Sequence, residues 1–69
     1  MIRIIVEKIS PREAQHRYLD SFAVWEWTAE DATGSTTGAA QSRSMAIWEA
    51  IDAAAGQVSD DADIVLKFL

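Results

Sequence analysis

The stretch from Thr33 to Gly56, TGSTTGAAQSRSMAIWEAIDAAAG, restricts the fold more than any other part of the chain. From Ser44 to Ala55 there is neither glycine nor proline, and Ala, Ile and Met, mostly good helix formers, dominate. Ser42 or Ser44 can cap the N-terminus, because a serine oxygen accepts from the free amides of a first turn. Gly56 stands where a left-handed cap would end the helix. Steps of about 100° per residue put Ile47, Ala50, Ile51 and Ala54 on one apolar arc, with Met45, Glu49, Asp52 and Ala53 opposite. The alanines let that arc approach a sheet closely. Trp48 falls at the arc's edge.

The remainder of a 69-residue chain must find its core against this helix. One domain, 1–69, is expected. A single core of this size seldom contributes more than ~3–5 kcal/mol without staples or partners. With no cysteine there is no disulfide or thiolate chemistry, which suits a reducing compartment. No apolar run reaches the length of a membrane span and no signal-peptide pattern opens the chain. The apolar share, 49%, is too high for a disordered segment. The expectation is a folded, soluble, cytoplasmic domain.

MIRIIVEKI, Met1 to Ile9, is β-branched and partly alternating, with Ile2, Ile4 and Val6 on one face. In SPREAQHRYLD, Ser10, Pro11 and Glu13 have the spacing of a capped helix start, so a short helix is preferred to a long irregular connection. FAVWEWT, Phe22 to Thr28, alternates as a second strand. DATG, Asp31 to Gly34, supplies a turn, and Ser35 to Gln41 forms a weak third strand. Gln57 to Asp63 reads as an acidic loop and Ile64 to Leu69 as a final strand. The predicted class is α+β: a small antiparallel-rich sheet of 3–4 strands with one long helix on one face. The order is β-α-β-β-α-β, ferredoxin-like, or β-β-β-α-β if the first helix does not form. The expected core is Ile2, Ile4, Val6, Trp25, Trp27, Ile47, Ala50, Ile51, Ala54, Ile64, Leu66 and Phe68.

The inventory for catalysis is poor. His16 is the only histidine and lies on a polar segment, whereas a general base needs an orienting partner and a cleft. The serines stand at caps and turns, where local hydrogen bonding accounts for them. Asp60, Asp61 and Asp63 lack the glycine and the distant glutamate of a calcium loop. GSTTG, Gly34 to Gly38, lacks the glycine spacing and the Lys-Ser/Thr end of a phosphate-binding loop. No enzyme activity, metal or cofactor is expected.

Charge and exposed apolar groups point to binding instead. Residues 1–19 carry Arg3, Lys8, Arg12 and Arg17 against Glu7 and Glu13, a balance of +2. Residues 20–69 carry nine acids against Arg43 and Lys67, a balance of −7. An acidic surface of this kind repels nucleic acid and attracts basic protein patches, although it also serves solubility alone. On the long helix, Trp48 either folds over the sheet edge or stands exposed between Glu49 and Asp52 as an aromatic anchor. Ile5, Val24 and Val65 form an apolar stripe on the outer sheet face, to be covered by the first helix or by a second subunit.

The segment VWEWTAEDATGSTTGAAQSRSMAIWEAIDAA resembles the strand-turn-strand-helix half of HicB-like antitoxins and double-stranded-RNA-binding domains. In both, a glycine-bearing hairpin runs into an alanine-rich helix that begins with serine. Arg43 stands alone where an RNA binder would be strongly basic, so direct nucleic-acid contact is not expected. In size, acidity and lack of cysteine the chain also resembles phage-encoded inhibitors of bacterial immunity, the anti-CRISPR and anti-restriction proteins. That resemblance implies carboxylates standing where phosphates would meet a partner's Lys and Arg. The expected function is a non-catalytic inhibitor binding a basic site on another protein through Glu26, Glu30, Asp31, Met45, Trp48, Glu49, Asp52, Asp60, Asp61 and Asp63. The alternative is an antitoxin-like or oligomeric structural module, such as a homodimer, using the apolar sheet face.

Overall fold

The structure, a computed structural model, describes residues 2–31, 34–54 and 64–69. Among the described residues, six elements follow in the β-α-β-β-α-β order: β1 (Ile2–Lys8), α1 (Pro11–Tyr18), β2 (Trp25–Asp31), β3 (Gly34–Ala40), α2 (Arg43–Ala54) and β4 (Ile64–Phe68). They make the expected small α+β fold, a four-stranded sheet with the longer helix on one face. The strand order is β3-β2-β1-β4. β1 pairs antiparallel with β2, β2 antiparallel with β3, and β1 parallel with β4. α1 therefore joins neighbouring antiparallel strands, so the sheet lacks the split βαβ units of the expected ferredoxin-like arrangement, and α2 crosses from β3 to β4 at the opposite edge.

Local chemistry fixes the ends of these elements. Ser10 Oγ accepts the Glu13 N–H at 3.1 Å and Pro11 opens α1, as the sequence predicts. The Glu13 carboxylate turns to Arg17 one turn on, at 3.2 Å. α1 ends at Leu19, whose backbone is left-handed (φ 58) and whose N–H donates to the Gln15 carbonyl. Asp20 Oδ1 then accepts the Phe22 N–H at 2.9 Å. That turn takes Phe22 out of the expected strand and leaves it exposed, so β2 starts at Trp25 and runs on to Asp31. Asp31 pairs with Gly34 across the hairpin, and its Oδ1 accepts the Gly34 N–H. Of the two candidate caps for α2, Ser42 serves: its Oγ accepts the Met45 N–H at 3.2 Å. Gly56 and the loop Gln57 to Asp63 lie outside the described residues.

The core lies between the sheet and α2. Ile2, Ile4 and Val6 are buried on β1, Trp27 and Ala29 on β2, Ala40 on β3, and Ala46, Ala50 and Ala54 on α2. Trp25, Ile47 and Ile51 pack partly against this cluster. The buried arc of α2 is thus centred on its alanines, with the isoleucines at its flank. Burial of Ile2, Ile4 and Val6 contributes roughly 1.5–3 kcal/mol each. Two expected core residues are not in it. Leu66 and Phe68 are 43% and 47% exposed, because β4 is the edge strand farther from α2, which lies over β2, β3 and β1. The side chain of Ile64 lies outside the described residues.

Candidate protein-binding surface

The three buried alanines of α2 recur every four residues, and this fixes what the helix turns outward. Met45, Trp48 and Asp52 are exposed, and Glu49 is half-buried on the flank. Their spacing, 45, 48, 49 and 52, makes one stripe along the helix. Trp48 is 72% exposed, so it stands clear of the sheet edge over which it could have folded. A large amphipathic ring beside a flexible thioether and two carboxylates can fill an apolar socket with a basic rim.

The carboxylates expected to crowd one surface are divided between two. Strand alternation puts Trp27 and Ala29 under α2 and therefore turns Glu26 and Glu30 to the far face of the sheet. Both meet cations there. Glu26 accepts from Arg17 at 3.0 Å and from the Tyr18 hydroxyl at 2.6 Å, and Glu30 lies 3.9 Å from Arg3. Asp31 is engaged in its own turn. Asp60, Asp61 and Asp63 lie outside the described residues. Glu49 and Asp52 alone share the α2 stripe with Met45 and Trp48.

The cluster around Glu26 is structural: it fastens α1 across the outer face. Burial, then the hydrogen bond and charge of Glu26, raise the Tyr18 pKa above its ordinary value of 10.0. The hydrogen bond and charge of the same carboxylate raise that of Arg17. The expected outer stripe is broken up. Ile5 is half-buried, and Val65 is exposed. Val24 precedes β2 and is also half-buried, its carbonyl accepting the Ile9 N–H at 2.8 Å.

A groove of about 620 Å³ runs beside α1, lined by Pro11, Arg12, Glu13, Gln15, His16 and Ser21. His16 is exposed, with no hydrogen bond or ion pair among the described residues to orient its ring. Among the described residues no three His, Cys, Asp or Glu side chains come together as a metal site. No described helix is long and apolar enough to cross a membrane.

Sequence reasoning missed two exposed apolar residues, Leu19 (82%) and Phe22 (74%). The aspartate at position 20, a turn former that bonds its own backbone two residues on, was the available signal. No protein-family model, curated protein or solved structure matches the chain.

Proposed function

We propose that the chain is a non-catalytic binding protein that inhibits its partner by seating the outer stripe of α2 in a basic site, of the kind that holds nucleic acid. One observation carries this reading: Trp48 is 72% exposed on a helix whose opposite side carries the buried Ala46, Ala50 and Ala54. An exposed tryptophan on a rigid helix loses little conformational freedom on docking, and such rings are enriched at binding hot spots. Glu49 and Asp52 flank it, and α2 contains one basic residue, Arg43, at its start. The stripe therefore presents negative charge to a positive rim. Glu26 and Glu30 serve the monomer's own ion pairs and are outside the binding surface.

The test is charge reversal. Immobilised chain is used to capture partners from a lysate of the native host, with nucleic acid as competitor. Glu49→Lys together with Asp52→Lys should abolish capture while leaving the circular dichroism spectrum unchanged. Capture should also weaken steeply as salt is raised, because exposed charge pairs are screened. Equal capture by the reversed variant, or indifference to nucleic acid, contradicts the reading.

A further inference from the structure

We infer that the groove beside α1 is a binding site for a small organic phosphate, with the phosphoryl group held by Arg12 and His16. Arg17 and Tyr18 both bond to Glu26, and Ala14 is buried, so these three residues fix which side of α1 faces the sheet. Pro11, Arg12, Gln15 and His16 are thereby left exposed, in two rows: 11 with 15, and 12 with 16, each pair one turn apart. The left-handed Leu19 then turns the chain, and Ser21 joins the same lining.

The chemistry of this lining selects a ligand rich in acceptor oxygens. Arg12 brings a planar fork of N–H donors, His16 a ring N–H, Gln15 an amide group and Ser21 a hydroxyl. Glu13, the carboxylate among the described lining residues, is held by Arg17 at 3.2 Å. No ion pair or side-chain hydrogen bond occupies Arg12 or His16 among the described residues. A guanidinium fork matches phosphate oxygens through two parallel charge-assisted bonds. A phosphate monoester offers three acceptor oxygens and about two charges, so it can engage donors on successive turns together.

Size adds the organic part. At about 620 Å³ the groove falls within the ~300–1,000 Å³ of small-molecule sites, more room than a bare phosphate fills. The ring of Pro11 and the aliphatic stems of Arg12 and Gln15 supply an apolar wall for the ligand's body. The site is also separate from the α2 stripe. Asp31, Gly34 and Ile64 lie at the Ile2 end of the sheet, whereas α1 follows Lys8 at the other end, and its anchor Glu26 is on the face away from α2. It stands or falls apart from the binding role of α2.

Amide resonances of the isotope-labelled full chain, titrated separately with phenyl phosphate, inorganic phosphate and phenol, test the site. Phenyl phosphate should shift the amides of α1 and Ser21 to saturation. Inorganic phosphate should shift the same amides with weaker affinity, and phenol should leave them unmoved. Arg12→Gln should weaken phenyl phosphate about tenfold, the contribution of one charge-assisted hydrogen bond, and His16→Gln should weaken it less. Both residues are exposed, so both variants should keep the wild-type circular dichroism spectrum. Lys67→Gln, which removes an exposed cation on β4, should leave the affinity unchanged. The inference is overturned if no saturable shift appears at α1, or if phenol or inorganic phosphate binds as tightly as phenyl phosphate. Undiminished affinity in a folded Arg12→Gln chain, or equal weakening by Lys67→Gln, overturns it as well.

Discussion

Gly38 lies beneath the indole of Trp27, its cross-strand partner, so closely that a β-carbon at residue 38 would fall 2.5 Å from Trp27 Cζ2. The ring and the missing side chain form one unit of the core. The largest buried residue of β2 has room on β3 only because its partner there has no side chain. The small alanines of α2 complete the same accommodation from above.

Gly38→Ala should therefore destabilise the fold, although alanine is the better strand residue by propensity. Overpacking of this kind costs about 1–3 kcal/mol. Urea denaturation should show a lower midpoint with an unchanged slope. Trp27→Phe in the same background should recover part of the loss, since the smaller ring has less reach. The Trp27 Nε1–H is also buried without a partner among the described residues, a cost that phenylalanine removes.

Leu19 ends α1 in a left-handed conformation while 82% exposed, so its side chain contributes little packing to offset the backbone cost. Leu19→Gly should stabilise the chain by about 0.5–1 kcal/mol, the relief of strain being partly offset by a more flexible unfolded state. Thermal melts of the two proteins would show the variant unfolding at higher temperature.

Tyr18 is the only tyrosine, so its titration can be followed alone through phenolate absorbance. Its folded pKa is raised, chiefly by burial and then by its bond to Glu26. The sign follows. Below the unfolded value of about 10 the contribution is complete. As pH rises through the higher folded value it is lost, because the unfolded chain releases the proton first. Stability should fall with pH in that alkaline range, and Tyr18→Phe should flatten the fall.

Glu26→Gln should loosen α1 from the sheet, and only modestly, because Arg17 is half exposed and its ion pair is screened by solvent. Amide exchange would show faster opening across α1 and unchanged protection in β1.

Much of this fold was legible because local signals agreed with one another. The Ser10-Pro11-Glu13 start of α1, the β-branched alternation of β1 and the Gly- and Pro-free run of α2 each specify an element without tertiary help. β4 was misjudged for a physical reason: Ile64, Leu66 and Phe68 alternate like a core strand, but alternation cannot show that the covering helix stops one strand short. The acidic surface was misjudged because net charge says nothing about faces. Alternation in β2 sends Glu26 and Glu30 away from α2, and Arg17 and Arg3 meet them there. Trp48 could be placed on the rim of its helix but not inside or outside the core, since the answer depends on how far the sheet extends beneath it.

The most direct measurement compares partner capture by the wild-type chain and by Trp48→Ala, with melting temperatures measured alongside. The ring is exposed, so its removal should change stability by no more than about 0.5 kcal/mol. The account predicts equal melting temperatures and loss of the captured partner. Undiminished capture by a folded Trp48→Ala chain would contradict it.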